Sequence, residues 1–187
     1  MLFRSDQKLG DGFSASNVTN RGLSLVGLQF FMRIESLKSH PHKLDELMQM
    51  LHEEWKAFAP WATPELIIER LNLSGAGQAF PFTYIALSPG DQLLGTASIK
   101  LRELPDDVAK NYWLGEVLTQ KELRGRGIGS ALIRACIDYT FNTVNAPLYL
   151  YTPDQQALYQ RFGWASVENR LVDGETVTVM ELQPPGK

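Results

Sequence analysis

Arg124-Gly125-Arg126-Gly127-Ile128-Gly129-Ser130-Ala131 follows an apolar run, Tyr112–Thr119, and opens a stretch with helical apolar spacing. This is the layout of a pyrophosphate-binding turn. Glycines at 125, 127 and 129 remove the β-carbons that would hold an anion off the backbone. N–H groups at the start of the next helix then point at the phosphates, and the helix dipole adds to the attraction. Arg124 and Arg126 supply charge in bidentate geometry, and Ser130 lies in the first turn. A tight strand-to-helix turn with two solvated arginines would use the same glycines, so the surroundings have to decide.

Two other glycine loops fail on the residues. A Walker-type loop needs Lys and then Ser or Thr after its last glycine, whereas Gly129 is followed by Ser130 and Ala131. A dinucleotide fingerprint counted from Gly125 needs glycine where Ser130 stands, and it belongs at the first strand–helix turn of a chain.

The chain has 187 residues, of which 44% are apolar, enough for one domain with one core. Net charge is −3 with no run of like charge, so nothing suggests nucleic acid as a partner. The lone Cys136 excludes an internal disulfide and a cysteine zinc site, and its helical context reads as a buried thiol. His40, His42 and His52 lack metal-ligand spacing and read as surface or capping residues; no metal is expected. Residues 1–22, rich in Ser, Asn, Gly and Asp without periodicity, predict poor order. Leu23–Phe31 is apolar but too short to span a bilayer, and it lacks the flanks of a signal peptide. Residues 1–31 are therefore expected to be a dispensable extension, an upstream start codon being one origin, with the domain at 32–183. A cytoplasmic enzyme without membrane partner is the default expectation, as monomer or homodimer.

Alternation predicts a strand over Arg33–Leu37, and helical spacing of Leu44, Leu47, Met48, Leu51 and Trp55 predicts a helix ended by Pro60. Thr63 and Pro64 open a second helix that runs to about Leu73 and Ser74-Gly75-Ala76-Gly77. Phe82–Leu87 and Leu93–Leu101 form a hairpin across Ser88-Pro89-Gly90-Asp91. After a polar connection, Leu104–Lys110, comes the strand Tyr112–Thr119, then the glycine turn. A helix follows from Ile128 to Phe141, with Ile128, Leu132, Ala135, Cys136 and Tyr139 as its buried face. Pro147–Tyr151 is a strand, Asp154–Arg161 a short helix, and Gly163–Leu171 with Glu175–Leu182 a terminal hairpin. The order β-α-α-β-β-β-α-β-α-β-β, with one strand–turn–helix crossover, gives an α/β (α+β) fold on a mostly antiparallel mixed sheet.

At this point the chain resembles the Gcn5-related N-acetyltransferases. Their central signature is Arg or Gln, two residues, Gly, one residue, then Gly or Ala, and Arg124-Gly125-Arg126-Gly127-Ile128-Gly129 matches it. A second block, a tyrosine followed after three residues by Gly and an aromatic, matches Tyr159-Gln160-Arg161-Phe162-Gly163-Trp164. The two are separated by a helix and a strand, as in the family. The resemblance covers roughly Met32 to Leu182. It implies helices on both faces of the sheet and a V-shaped splay between its two parallel middle strands. It also implies acetyl transfer from acetyl-coenzyme A to an amine. A glycine turn suits the coenzyme's pyrophosphate, and an exposed strand edge can pair with its peptide-like arm. Leu118 and Thr119, ending the strand, would offer backbone groups to that arm.

Amine acetylation needs a proton acceptor for the amine and a donor for the departing thiolate. Glu116 on the strand entering the site is nominated as acceptor through water, with a solvated or salt-bridged strand residue as the alternative reading. Tyr159 matches the tyrosine that family members often use as the acid; a core aromatic on a short helix is its alternative. Where the family often has Asn, seven residues before that tyrosine, this chain has Thr152, and three residues on it has Gln155 in place of Ala. The stretch Thr152-Pro153-Asp154-Gln155-Gln156 is thus a variant start to the last helix, with Gln155 as a coenzyme contact. Acceptor recognition, of a small-molecule amine or a peptide, is expected from residues 42–73 and from Val172-Asp173-Gly174. Trp55, Phe58 and Trp61 read either as an acceptor-pocket lining or as core. A non-catalytic acyl-coenzyme A-binding module on the same fold is the competing function.

Overall fold

The computed structural model describes residues 31–73 and 78–186. The expected poorly ordered stretch 1–22, nearly all of Leu23–Phe31 and the glycine-rich end of the second helix lie outside the described residues.

Helix α1 (Leu44–Trp55) buries Leu47, Leu51 and Trp55, one residue per turn on a single stripe. A 3-10 turn at Ala59–Trp61 leads to α2 (Pro64–Leu73), which buries Ile67 and Leu71. Seven strands make one sheet: β1 (Arg33–Ser36), β2 (Phe82–Leu87), β3 (Leu93–Leu101), β4 (Tyr112–Thr119), β5 (Leu148–Thr152), β6 (Ala165–Val172) and β7 (Glu175–Leu182). Their order is β1-β2-β3-β4-β5-β7-β6. Only β4 and β5 are parallel, joined by the crossover helix α3 (Ile128–Thr143), and α4 (Gln156–Gln160) follows β5. The mixed, mostly antiparallel sheet read from the sequence is the observed one.

Each face of the sheet carries its own core. Beneath α3 and α4, Leu94, Ile99, Leu114, Val117 and Leu150 meet Leu132 and Ile133. Beneath α1 and α2, Ile85, Leu87, Leu93 and Leu118 meet Leu47, Leu51 and Ile67. Each such side chain contributes on the order of 1.5–3 kcal/mol by leaving water.

Several boundaries move for local reasons. β1 stops at Ser36 because Leu37 is buried in a 3-10 turn. α3 runs on to Thr143, and its buried stripe is Ile128, Leu132, Ile133, Cys136 and Thr140. Ala135 and Tyr139, expected on that stripe, are half-buried. Thr140 is tolerated inside because its hydroxyl donates to the Cys136 carbonyl at 2.7 Å. α4 starts only at Gln156, since the Thr152 hydroxyl accepts the Gln155 N–H at 2.9 Å and shapes a turn before it. Gly163, at φ 91°, closes the turn after α4 and delays β6 to Ala165.

Two irregularities of β4 position the site. β4 pairs with β5 only at Tyr112↔Leu148 and Trp113↔Tyr149, although both strands run on, so the two part into a V. On its other side β4 pairs with β3, but between Thr96↔Leu118 and Ser98↔Gly115 a single residue, Ala97, faces both Glu116 and Val117. Glu116 is the extra residue of this bulge, at φ 55°.

Candidate active site

The glycine turn stands at the mouth of the V, between β4 and α3. Gly125 and Gly127 adopt φ 77° and 84°, and a β-carbon on either would project into open space. No side chain caps α3, and its first helical bond runs from Ala131 N–H to the Gly127 carbonyl at 3.0 Å. The N–H groups of Ile128, Gly129 and Ser130 therefore have no acceptor in the helix and face the cleft end of the dipole. A cavity of about 650 Å³ opens here, lined by Thr119, Arg124, Gly125, Gly127, Ile128, Gly129, Ser130 and Gln155 of the residues expected at the site. Arg126 is exposed at the turn and Leu118 is buried against the α1–α2 core, outside the lining.

Arg124 is placed differently from a simple phosphate ligand. Its guanidinium donates to Glu54 on α1 at 2.7 Å and its Nε to the Thr119 carbonyl at 3.3 Å. It braces the turn against α1 and occupies one of the two backbone groups expected of Thr119. The lining residues not expected from the sequence are Glu53 and Glu54 of α1 together with Val117, Lys121, Leu123, Ile133, Leu158 and Arg161. Lys121, three residues before the first motif block, and Arg161, inside the second, bring positive charge to the cavity, and basic residues at and beside those blocks were the available signal.

Glu116 does not lie in that cavity. The bulge turns it to the α1–α2 face, where it is 3% exposed. There Ser98 donates its hydroxyl to Oε2 at 2.6 Å, Lys100 Nζ lies 3.1 Å from Oε1, and Arg70 lies at 3.8 Å. Burial alone would raise its pKa, but Lys100, the Ser98 hydrogen bond and Arg70 together outweigh it and hold the carboxyl below its usual range. A carboxylate so paired is a weak proton acceptor. The expected base is thus placed as the buried anchor of an ion network, the salt-bridged alternative of the sequence reading.

Tyr159 sits on α4 inside the α3–α4 core, 3% exposed, with its ring edge-on to Trp164 at 6.1 Å. Burial, with a smaller contribution from Asp154, pushes its phenol well above the usual value. It keeps its proton at physiological pH, and it lies behind the cavity, outside its lining. Trp55 and Trp61, 5.0 Å apart between centroids, belong to the α1–α2 core, with Phe58 packed against it. Trp61 also walls a second, smaller cavity on that face together with Val172 and Asp173. His52, expected at the surface or a cap, is half-buried and its Nδ1 lies 2.9 Å from the Trp61 carbonyl, tying α1 to the 3-10 turn. Among the described residues no cluster of three His, Cys, Asp or Glu side chains could hold a metal, and no helix is long and apolar enough to cross a membrane.

The sequence profile of the acetyltransferase (GNAT) family matches residues 44–164, nearly two-thirds of the chain and both motif blocks. The chain belongs to this family. Its fold is shared with a GCN5-related N-acetyltransferase from Kribbella flavida (16% identity, TM-score 0.67, covering 81% of this chain and 97% of that one). A GNAT-family acetyltransferase from Streptococcus pneumoniae is similar at 19% identity and TM-score 0.63, over 81% and 98% of the two chains. A spermidine/spermine N-acetyltransferase from Vibrio cholerae is similar at 14% identity and TM-score 0.60, over 81% and 91%. At such identities these structures speak for the fold alone. No curated protein sequence matches the chain. As a GNAT acetyltransferase it is an acyltransferase, and the co-substrate of its family is acetyl-coenzyme A. The residues present fit that coenzyme: uncapped N–H groups and side-chain-free glycines suit a pyrophosphate, and the β4 edge that β5 abandons suits an amide-rich arm.

Proposed function

We propose that the protein moves an acetyl group from acetyl-coenzyme A to a primary amine of a small molecule or peptide, by direct attack in a ternary complex. The observation that carries this reading is the pair of cavities on opposite faces of the splay. One lies at the glycine turn and Val117, the other at Trp61 and Tyr151 of β5. Two substrates entering from opposite faces can meet in the V without either leaving first, which favours direct transfer over a covalent acetyl-enzyme.

Acetyl-coenzyme A supplies the activated thioester. The first turn of α3 would hold its pyrophosphate by Ile128, Gly129 and Ser130 N–H groups, with Gly125 and Gly127 leaving room for it. Leu118, Thr119 and Gln155 are proposed as contacts to the arm, Arg124 as the brace of the turn and Arg126 as an outer charge. Tyr159 would donate a hydrogen bond to the sulfur as the thiolate departs. Glu116, held anionic, would fix Lys100 and Ser98 at the acceptor face, and proton loss from the amine would pass to water. Mass spectrometry of amines incubated with enzyme and acetyl-coenzyme A should show acetylated amine, with intersecting initial-velocity lines. Parallel lines, or an isolable acetyl-enzyme, would overturn direct attack.

A further inference from the structure

The second cavity, about 200 Å³, is closed by parts of the chain that are far apart in sequence: Trp61 before α2, Arg70 on α2, Glu103 and Leu104 after β3, Tyr151 on β5 and Asp173 at the β6–β7 turn. Tyr151 lies beyond the last β4–β5 pair at Tyr149, on the stretch of β5 that has parted from β4. We infer that this cavity takes the acceptor by a carboxylate gripped by Arg70, making the acceptor a small amino-carboxylate of amino-acid size. The inference rests on the amine-acetylation reading and names its substrate class.

The argument is one of unspent hydrogen bonds. Lys100 Nζ satisfies Glu103 at 2.9 Å and Glu116 at 3.1 Å. The Arg70 guanidinium lies 3.6 and 3.8 Å from the same two carboxylates, beyond hydrogen-bond distance. Lys100 thus makes the close contacts, while Arg70 balances the second negative charge at longer range, so its forked donors make no hydrogen bond to either carboxylate. The guanidinium is stacked on Trp61, 4.8 Å from the ring, which fixes its plane and leaves its edge for an anion. Arg70 is also the most exposed of the four charged groups, at 33% against 12% for Lys100, 17% for Glu103 and 4% for Glu116.

The pattern of sign narrows the class. A polycation would meet Arg70 as well as the acids, and a neutral amine would desolvate Arg70 without pairing it. A zwitterion meets both signs: its carboxylate faces Arg70, and its ammonium, before it loses a proton, faces Glu103 and Asp173. The cavity volume suits one amino acid and excludes a folded protein surface.

The test uses the full chain with acetyl-coenzyme A and matched triads: leucine, methionine and phenylalanine, each beside its amide and its decarboxylated amine. Thiol release should favour the carboxylates by about tenfold or more in kcat/KM, the worth of one charge-assisted hydrogen-bond pair. Arg70→Gln should remove that preference through KM, lowering kcat/KM about tenfold more for the carboxylates than for their amides. Arg70→Lys, which keeps the charge without the fork, should fall between. Equal rates across each triad, or an equal loss on all three in Arg70→Gln, would overturn the inference while amine acetylation stands. If no amine turns over, calorimetry of the same amino acids with coenzyme A-loaded protein decides. Binding that Arg70→Gln abolishes supports the carboxylate site and overturns the transfer reading; no binding overturns the inference.

Discussion

Glu116→Gln separates a proton acceptor from a structural anion. Glutamine keeps the volume and the bulge position, and its backbone strain at φ 55° matches that of glutamate, so only the charge changes. In the parent, Glu116 and Glu103 balance Lys100 and Arg70. Removing one partner of a fully buried pair costs about 3–5 kcal/mol. Here Lys100 keeps Glu103 at 2.9 Å, and Arg70, one-third exposed, is screened by solvent. The Ser98 hydroxyl also exchanges a charged acceptor for a neutral one. The expected loss is therefore about 2–3 kcal/mol, below the range for a stripped charge. In urea at pH 7 this lowers the midpoint by about 1–2 M with an unchanged slope.

The sign with pH is fixed by the direction of the shift. A carboxyl whose folded pKa lies below its ordinary 4.5 stabilises the fold above that value, and the contribution is lost as pH falls through the folded pKa. The gap between parent and variant should hence be constant from pH 6 to 8 and narrow below about 4.5. A Lys100→Met, Glu116→Gln double variant should lose less than the sum of the singles, because each removes the other's unpaired partner. The reasoning is refuted if Glu116→Gln unfolds within about 0.5 kcal/mol of the parent while turnover collapses and the rising limb of the pH–rate profile moves. Glu116 would then be the proton acceptor after all.

Gly127→Val should bind no acetyl-coenzyme A by calorimetry yet remain folded, losing about 1–2 kcal/mol or somewhat more for a side chain at φ 84°; unchanged affinity would sink the turn as the pyrophosphate site. Gly129→Ala, whose β-carbon would only touch Thr119 Oγ1 at 3.4 Å, should keep binding and raise Tm by about 1–4 °C through helix propensity. Tyr159→Phe should lower kcat by roughly ten- to a hundredfold with acetyl-coenzyme A affinity intact, the low end for acid catalysis because burial keeps the phenol a donor that parts reluctantly with its proton; full turnover would make it a packing residue. A chain starting at Met32 removes, among the described residues, only Phe31, which is 73% exposed, and should keep coenzyme affinity and nearly all thermal stability. A melting point lower by more than a few degrees would show that the deleted segment packs on the core.

The element order and the parallel crossover were legible because apolar periodicity and turn residues are local signals, and each local choice agreed with the sheet. The glycine turn was legible for the same reason. Glu116 was not. Alternation along β4 says which residues share a face only while the register is regular, and the bulge opposite Ala97 resets it in mid-strand. A sequence shows an acid on a strand near the site; it does not show Lys100 and Arg70 arriving from β3 and α2. The tie of Arg124 to Glu54 was not legible either, its partner lying 70 positions away on α1. The proposed acceptor cavity draws on five separate parts of the chain, so only the α1–α2 region and the Val172–Gly174 turn could be named in advance.

Gly95 ties these irregularities together. Inside a strand a glycine reads as a weakness, since it has no side chain to pack. Yet a β-carbon there would sit 2.6 Å from the Leu118 carbonyl and 3.3 Å from Thr119 Cα. The missing side chain lets the end of β4 close tightly onto β3, past the bulge. That matters because β4 has lost β5 over the same residues. A strand released on both sides would be a loop, free to swing and unable to present a fixed row of backbone groups. Held on one side by β3 and open on the other, it is a rigid edge, which is what pairing with an amide-bearing substrate arm requires. The V is thus a property of three strands, and the residue that lets it hold its shape carries no functional group.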